Sequence, residues 1–344
     1  MYVSFQIIKM ISLPIEVQLR ILKYLNFNEL ITVKQTNSYF CNLISKYEGE
    51  LAQRKFFELS IINENQKPDS YKYNIAPESG VFEFTLNDQL REKLQAAIDV
   101  SIPVFLSEHD IKPLVCIKTL VDYRYYLLKL PTIPKNIEEM IIVRCWLEKL
   151  FKCSFDHCDF DKIVFNPEML NILFYNDKTI LPKFHVDIPS LSPTNRTFEN
   201  MVDFILNHLE NSSFFIIDFT DIENVVQYKN ILFDIIINEG DKFPRFSLRH
   251  CKLTTLYDTI MEYITTTKDS TKIIAFIQLY CMKFPNFRLP ERAENVQIGE
   301  YDVFNRRYTR YEIANIYDPR MRFAFSIADI SGSISCIDII KINV

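Results

Sequence analysis

Apolar residues near the start of the sequence recur at the spacing of an α-helix. From Leu13 to Leu25 they return at every fourth position, and Leu22 widens the stripe, which places them on one helix face. Pro14 suits a first helical turn, and the carboxylate of Glu16 favours the positive end of the helix. The pattern therefore predicts a short helix that begins near Pro14.

Two more short helices follow within the next twenty residues. Asn28 is a suitable N-cap for a helix that carries Leu30, Ile31 and Val33. Asn37 or Ser38 then opens a third helix, whose apolar side comprises Phe40, Leu43 and Ile44. Three helices of this length bury only a small core, and such a unit gains stability by docking onto a partner.

The next segment, 48–110, is interpreted as linker helices and a loop. Glu48–Leu59 continues the helical pattern, and Asn63–Ser79 is polar with two prolines, which is typical of an exposed loop. Val81–Leu86 is a candidate short strand. Asn87 or Asp88 then caps a helix that runs through Ala97.

From residue 111 to residue 304 a short apolar frame recurs, and it predicts strands that alternate with helices. The frame has eight positions, which are apolar, x, apolar, x, x, any, x and apolar. Its clearest copies begin at Phe215, Phe246 and Ile277, each 31 residues after the previous one. Earlier copies begin at Met140, Ile163 and Phe184, and weaker ones at Val115 and Val296. Amphipathic stretches between the frames are Phe198–Leu209, Val225–Asn238 and Leu256–Thr266.

Strand followed by helix, repeated, favours a parallel sheet with right-handed crossovers. The fold class predicted for this region is α/β, as an irregular leucine-rich-repeat-like βα solenoid with its strands on the concave face. The alternative is an open α/β domain without true repeats.

Residues 305–344 change pattern and predict a C-terminal antiparallel β cap. Tyr308–Ile316, Met321–Ile327 and Ile334–Ile342 are the predicted strands, and the residues between them supply turn chemistry. We expect this unit to cover the end of the solenoid, whose last repeat would otherwise be exposed.

Composition argues against several classes of partner and cofactor. The net charge of −5 and the pI near 5.7 do not favour nucleic acid or an anionic membrane, both of which reward a basic surface. Five glycines in 344 residues leave little room for phosphate-binding loops. No apolar run approaches membrane-spanning length, and the N-terminus lacks a basic stretch and cleavage site. We expect a cytoplasmic or nuclear protein with reduced thiols.

Candidate chemistry is weak by comparison. Cys153, His157 and Cys158 lack the paired spacing of common zinc sites, and structural thiols are the better interpretation. Ser107–Asp110 places triad-like residue types side by side, whereas catalytic triads are assembled from separated segments. His250 beside Cys251 has no evident oxyanion loop. No enzyme, metal or cofactor is expected.

The N-terminal residues resemble the F-box motif. The likeness covers about residues 11–45 and rests on the following positions: Leu13-Pro14-x-Glu16-Val17, Ile21-Leu22-x-Tyr24-Leu25, Glu29-Leu30, Val33 and Phe40-x-x-Leu43-Ile44. Phe40 stands where the family often has tryptophan, and Thr36-Asn37 replaces the usual Val-Ser or Val-Cys. The whole layout is similar to that of the divergent F-box proteins expanded in nematodes.

The resemblance implies a small trihelical F-box at 1–47 that packs against the C-terminal helices of the adaptor of SCF ubiquitin ligases. The adaptor would in turn connect it to cullin. The implied adaptor-binding residues are Leu13, Pro14, Glu16, Val17, Ile21, Leu22, Leu25, Leu30, Val33 and Phe40.

The expected function is that of a non-catalytic substrate receptor, with an unknown protein target on the strand face of the repeats. Candidate target-binding residues are Arg144, His185, Asp187, Asp218, Arg249 and Gln278. Two alternatives remain open: an F-box scaffold that acts outside a ligase, and an α/β enzyme.

Overall fold

The computed structural model describes most of the chain. The described residues are 10–11, 13–25, 27–47, 51, 54–66, 73–75, 86–108, 111–120, 124–177, 180–210, 212–251, 254–280, 288–301, 306–330 and 333–342. In this part of the chain no helix is long and apolar enough to cross a membrane.

The N-terminal segment contains three short helices, α1 (Ile15–Leu22), α2 (Phe27–Lys34) and α3 (Ser38–Lys46). Asn37 caps α3, because its side-chain oxygen accepts the Phe40 backbone N–H at 2.9 Å. The expected cap at Asn28 is wrong, since α2 already begins at Phe27. These helices share a hydrophobic cluster of their own, separate from the cluster beneath the large sheet.

The segment expected to link the two regions contributes a strand to the sheet. The helix predicted for Glu48–Leu59 is wrong: Arg54–Asn63 forms β1, which pairs antiparallel with β4 (Pro113–Lys118) and parallel with β6 (Cys153–Asp161). Its buried residues Leu59 and Ile61 alternate as strand residues do. The strand predicted at Val81–Leu86 lies outside the described residues, apart from Leu86.

Helix α4 (Asp88–Asp99) then follows, and Asn87 caps it by accepting the Leu90 N–H at 2.8 Å. Short strands complete this end of the sheet. They are β2 (Tyr73–Ile75) and β5 (Tyr125–Leu128), whereas β3 (Phe105–Ser107) pairs with β7 (Ile163–Phe165) in a separate two-stranded sheet.

Five further strands continue the parallel run that β1 begins, and they form the centre of the main sheet. They are β6, β8 (Phe184–Ser192), β10 (Phe215–Asp218), β11 (Arg245–Arg249) and β12 (Phe276–Tyr280). The connecting helices are α7 (Phe198–His208), α8 (Lys229–Asn238) and α9 (Thr254–Thr266). A 3-10 turn, Val225–Tyr228, precedes α8, and β9 (Leu209–Glu210) pairs with β8.

The regular strand–helix alternation is shorter than the sequence frames suggested. Frames beginning at Phe184, Phe215, Phe246 and Ile277 coincide with strands β8, β10, β11 and β12. The frame at Met140 is wrong, because Ile137–Phe151 forms helix α5. This helix buries Met140, Val143, Leu147 and Leu150 at helical spacing, and Met140 and Leu147 also fall on apolar positions of the frame.

Two other frames belong to different pairings. Ile163 lies in β7 of the small sheet, and helix α6 (Pro167–Leu173) occupies the rest of that frame. Val115 lies in β4, which is antiparallel to β1.

The C-terminal region forms an antiparallel meander. Its strands are β13 (Glu294–Tyr301), β14 (Arg306–Ala314), β15 (Arg322–Ile330) and β16 (Ser333–Ile342). β16 pairs antiparallel with β12, so the meander covers the edge of the last parallel strand. The frame at Val296 therefore belongs to this meander rather than to a repeat.

Helices α4–α9 pack on one face of the main sheet. Strand residues such as Phe155, Ile217 and Leu248 share one hydrophobic cluster with helix residues such as Phe204 and Ile260. Phenylalanine rings fill much of it: Phe184 lies 4.8 Å from Phe151 and 5.2 Å from Phe165 between ring centroids. The opposite face, hereafter the open face, carries the alternate residues of the same strands.

Arg144 is part of the interior and not of a strand face, so its assignment to target binding is wrong. It lies on α5 with only 2% of its surface exposed. Its guanidinium donates to the Leu173 carbonyl and to Asp177, and stacks over the Phe174 ring at 4.6 Å. A buried guanidinium needs such partners, because an uncompensated charge in the interior is costly.

We predict that Asp177→Asn lowers the free energy of unfolding by about 3 kcal/mol, because it leaves the buried Arg144 charge uncompensated. Urea denaturation followed by circular dichroism measures this change. Glu64→Gln is the matched control: Glu64 pairs with Lys129 at 3.0 Å on the surface, and its loss should cost less than about 1 kcal/mol. Equal effects of the two substitutions would contradict the prediction.

His208, at the end of α7, gives the fold a specific sensitivity to acid. Its Nδ1 lies 2.9 Å from the Pro182 carbonyl, and its buried Nε2 has no hydrogen-bond partner. Burial lowers the pKa of His208, although the Pro182 carbonyl opposes that shift. Near and below pH 6.5 the unfolded chain therefore binds more protons at this histidine than the folded chain does. As a result, the free energy of unfolding falls as the pH drops through the unfolded pKa of about 6.5.

We predict that wild-type protein loses more stability between pH 7.5 and pH 5.5 than the His208→Gln variant does. Denaturation curves at both pH values measure the two losses. Parallel pH dependences would show that His208 does not carry this sensitivity.

Candidate interaction surfaces

Helix α1 presents an apolar stripe outward. Val17 and Ile21 lie one turn apart on the same side of α1, and Tyr24 follows in the turn after the helix; their surfaces are 41%, 38% and 81% exposed. Leu13 and Ile15 are exposed just before them. Clustered large apolar side chains at the surface of a small module mark an interaction site. These five residues are called the α1 patch below.

The core of the three helices holds the α1 patch in place. Leu22 on α1, Leu30 on α2 and Phe40 on α3 are buried against one another. Because α1 directs Leu22 inward, the stripe that begins with Val17 lies on a different side of the helix.

Gln18 adds a polar clamp beneath the patch. Its Nε2 donates to the Leu13 carbonyl at 2.7 Å and to the Ile11 carbonyl at 3.3 Å, and its Oε1 accepts the Tyr39 hydroxyl at 2.9 Å. Gln18 is only 1% exposed, so its hydrogen bonds are well shielded from water. The clamp ties the segment before α1 to both α1 and α3.

The sequence-predicted adaptor-binding residues fall into three groups. Leu13, Pro14, Glu16, Val17 and Ile21 are exposed, and Leu25 and Val33 are partly buried. Leu22, Leu30 and Phe40 are buried in the shared cluster of the three helices, so they hold the module together and do not line its surface.

Sequence reasoning missed three residues of this surface. Ile15 and Tyr24 complete the patch, and Tyr24 could have been found because it lies seven residues after Val17. Nothing in the sequence indicated that Gln18 is buried, because a polar residue between apolar ones is usually predicted to be exposed.

The open face of the sheet carries a second candidate surface. The residues Asp159, Ser190, Ile216, Ser247, Gln278 and Asp338 lie side by side on neighbouring strands. Ser247 donates to Gln278 at 3.1 Å, and Gln278 donates to Asp338 at 3.1 Å. This row is polar at both ends, but its central residues Ile216 and Ser247 are buried, with 7% and 0% of their surfaces exposed.

An aromatic and cationic group borders that row. The exposed guanidinium of Arg245 lies 4.8 Å from the centroid of the Phe214 ring and 5.0 Å from that of Phe276. Rings on both sides hold the guanidinium in place while leaving its N–H edge available.

Carboxylates gather on the β1 and β6 side of the same face. Glu58, Asp159 and Asp161 lie on these adjacent strands. Burial, together with the negative charges of Asp161 and Glu58, raises the pKa of Asp159 to about 6. The negative charges of these carboxylates repel one another, and a cationic partner would reduce that repulsion.

The remaining target-binding candidates occupy different parts of the sheet. Asp218, Arg249 and Gln278 lie on the open face, at or near the carboxyl ends of β10, β11 and β12. His185 and Asp187 lie near the start of β8. Burial lowers the pKa of His185, although Glu210, 3.9 Å away, opposes that shift.

A cavity of about 270 Å³ lies beside His250, with Phe219, Ile222 and Glu223 among its lining residues. His250 Nδ1 is 2.8 Å from Asp218 Oδ1 and 2.9 Å from Thr220 Oγ1. Both contacts use the same ring nitrogen, so the group lacks the nucleophile–base–carboxylate order of a triad. Burial raises the pKa of Asp218, but hydrogen bonds from Thr220 and His250 outweigh it and lower the pKa overall.

The thiols considered for zinc do not converge. Cys158 lies in the core, where burial raises its pKa well above the usual value, and Cys153 donates to the Lys149 carbonyl at 3.2 Å. His157 packs against the Phe57 ring. In the described part of the chain no group of three histidine, cysteine or acidic side chains could hold a metal ion.

Comparison with known proteins gives two family matches. Residues 75–220 match a family described as Domain of unknown function (DUF8381). That match begins at the end of β2 and ends just after β10, so its limits cut through the continuous sheet. No curated protein and no solved structure matches the chain.

The second match covers residues 10–48 and is described as F-box domain. It spans all three N-terminal helices and the α1 patch, and it confirms the resemblance seen in the sequence. The chain therefore carries an F-box domain, which comprises its three N-terminal helices.

Proposed function

We propose that this chain is a non-catalytic substrate receptor of an SCF-type ubiquitin ligase. The F-box, within residues 1–47, binds the ligase adaptor and through it cullin, in the cytoplasm or nucleus. A surface within residues 111–304 binds a protein target. Ubiquitin transfer then depends on the target's proximity to a charged conjugating enzyme elsewhere in the assembly.

The α1 patch is the single observation that best supports this proposal. A three-helix module with so small a core leaves Val17, Ile21 and Tyr24 facing water, where apolar side chains gain free energy by being covered. Central apolar and aromatic anchors of this kind carry most of the energy in helix-mediated recognition. The proposed adaptor contacts are Leu13, Pro14, Ile15, Glu16, Val17, Ile21 and Tyr24, with Leu25 and Val33 at their margin.

The open face is the proposed target surface. It lies opposite the helices and combines a polar row, a clamped guanidinium and a group of carboxylates. Aromatic residues and arginine are the side chains enriched at protein interfaces. We retain the leucine-rich-repeat-like and nematode-type descriptions of this region as predictions that rest on the alternation of strands and helices.

We predict that Val17→Glu combined with Ile21→Glu weakens adaptor binding by about 30-fold or more, because two anchors of the apolar interface become charged. Isothermal titration of purified adaptor into the full chain measures the affinity. The double variant should keep the wild-type circular dichroism spectrum, because both side chains are exposed.

The matched control is Ile133→Glu combined with Val226→Glu, which introduces the same charges at two exposed apolar residues outside the F-box. This control should bind adaptor like wild type. Unchanged affinity of the Val17 and Ile21 variant would refute the proposed adaptor surface.

Cullin co-purification separates the ligase role from a scaffold role. A substrate receptor should recover cullin together with adaptor, and both should be lost in the Val17 and Ile21 double variant. Recovery of adaptor without cullin would favour the scaffold and contradict the ligase proposal.

A further inference from the structure

In the described part of the chain, strand β13 leaves one of its two sides unpaired. It is the last strand of the large sheet, and β14 is its neighbour there. In an edge strand, alternate residues direct their backbone N–H and C=O groups away from the sheet. The strand at the opposite edge, β2, has only three residues, whereas β13 has eight. β13 therefore offers the longer row of unpaired backbone groups.

β13 lacks most of the features that keep other chains away from a sheet edge. Such features are lysine, proline, a very short strand and bulges. Glu294–Tyr301 contains neither lysine nor proline, and its bulge lies near the start, where Asn295 has a φ of 54°. From Gln297 to Tyr301 the strand pairs regularly with β14. This regular segment is the part of the edge that can accept another strand.

An exposed isoleucine lies within the regular segment. Ile298 is 73% exposed, and Val296, two residues earlier, is 40% exposed. A large apolar side chain on a strand gains free energy when a cross-strand neighbour packs against it. On the other face the Tyr308 ring lies over Gly299, since a Cβ at that glycine would overlap the Tyr308 hydroxyl. An added strand would meet an apolar side chain on one face and an aromatic ring on the other.

The carboxylates of β13 are already paired within the sheet. Glu294 pairs with Arg322, and Glu300 pairs with Arg307 at 3.0 Å. The edge therefore does not require a cationic partner, and its exposed apolar residues favour one whose side chains are themselves apolar.

We propose that β13 binds an extended segment of the target, which joins the sheet as a further strand and places a β-branched or aromatic side chain beside Ile298. Main-chain hydrogen bonds would supply affinity and the alternate side chains specificity. This inference rests on the proposed substrate-receptor function, and it states the form in which the target is held.

A second copy of this chain is less suited to the same edge. Antiparallel pairing of two β13 strands about Ile298 sets Val296 against the Glu300 of the other copy. Pairing about Gln297 instead sets Glu294 against that Glu300. An apolar residue opposite a carboxylate gains little, and like charges opposite each other are destabilising. A foreign segment is free of this symmetry and can present an apolar residue at each position.

Selection from a random dodecapeptide library displayed on phage, against the full-length chain, provides the probe peptides. Enriched sequences should carry β-branched or aromatic residues at alternate positions and should lack proline. Val296→Lys combined with Ile298→Lys should weaken their binding by about 30-fold or more, because lysine on an edge strand opposes the addition of another strand. Both side chains are exposed, so the variant should keep the wild-type circular dichroism spectrum.

The matched control is Val100→Lys combined with Ile133→Lys, which places the same charges at two exposed apolar residues outside β13. This control should bind the enriched peptides like wild type.

N-methylated peptides distinguish strand addition from side-chain binding. In an added strand one alternate set of N–H groups faces β13 and the other set faces solvent. Methylating two nitrogens of the first set should weaken binding by about 30-fold, because two hydrogen bonds are lost. Methylating two nitrogens of the other set should change the affinity by less than about threefold.

The inference is overturned by a selection without enriched peptides, by binding that survives the lysine substitutions, or by equal effects of the two methylation sets. Sedimentation equilibrium should show a monomer; a dimer that dissociates in the Val296 and Ile298 variant would assign the edge to a second copy instead. Adaptor titration keeps the F-box function separate. The lysine variant should bind adaptor like wild type, so a failed peptide site with intact adaptor binding refutes this inference alone.

Discussion

The pleat of the parallel strands is the constraint on which the rest of the large sheet depends. Successive side chains point to opposite faces, so a strand that buries Phe246 and Leu248 against the helices must direct Ser247 to the other side. Crossover helices α7, α8 and α9 all pack on one face, and the other face carries a mixture of polar, charged and apolar residues, with a small cluster of its own around Leu114 and Leu127. The row from Asp159 to Asp338 is therefore a consequence of the same alternation that builds the core.

A different limit governs the N-terminal helices. Three helices of eight or nine residues share a cluster of only a few buried side chains, among them Leu22, Leu30 and Phe40. So small a core cannot also bury Val17 and Ile21, since each helix has one inward side. The exposed apolar stripe is thus tied to the size of the module, and covering it by a partner would add the stability that the module lacks.

Sequence patterns predicted those features that depend on local periodicity. The N-terminal helices and strands β8, β10, β11 and β12 follow from spacing, and residue type narrowed two caps to Asn37 or Ser38 and to Asn87 or Asp88, of which the asparagines form the caps. The predictions from sequence failed where the surroundings of a residue in the folded protein override the local pattern of apolar residues. Met140 and Leu147 fit a strand frame, but α5 is buried on several sides and places apolar residues at nearly every offset. Arg144 looked exposed because its partners, Leu173 and Asp177, are distant in sequence. The open-face row depends on the register between strands, which a single sequence does not encode.

The two surfaces belong to separately packed clusters, and this separation bears on how a receptor would work. The cluster around Phe40 and the cluster around Phe246 share no buried residue among those described. Adaptor binding would therefore stabilise the helical module by linkage without altering the strand register that places Asp159 beside Ser190 and Ile216 beside Ser247. In such an arrangement assembly raises the effective concentration of one partner around the other, because one chain holds both near each other. Conformational coupling between the two regions would not be required for both partners to be held by one chain.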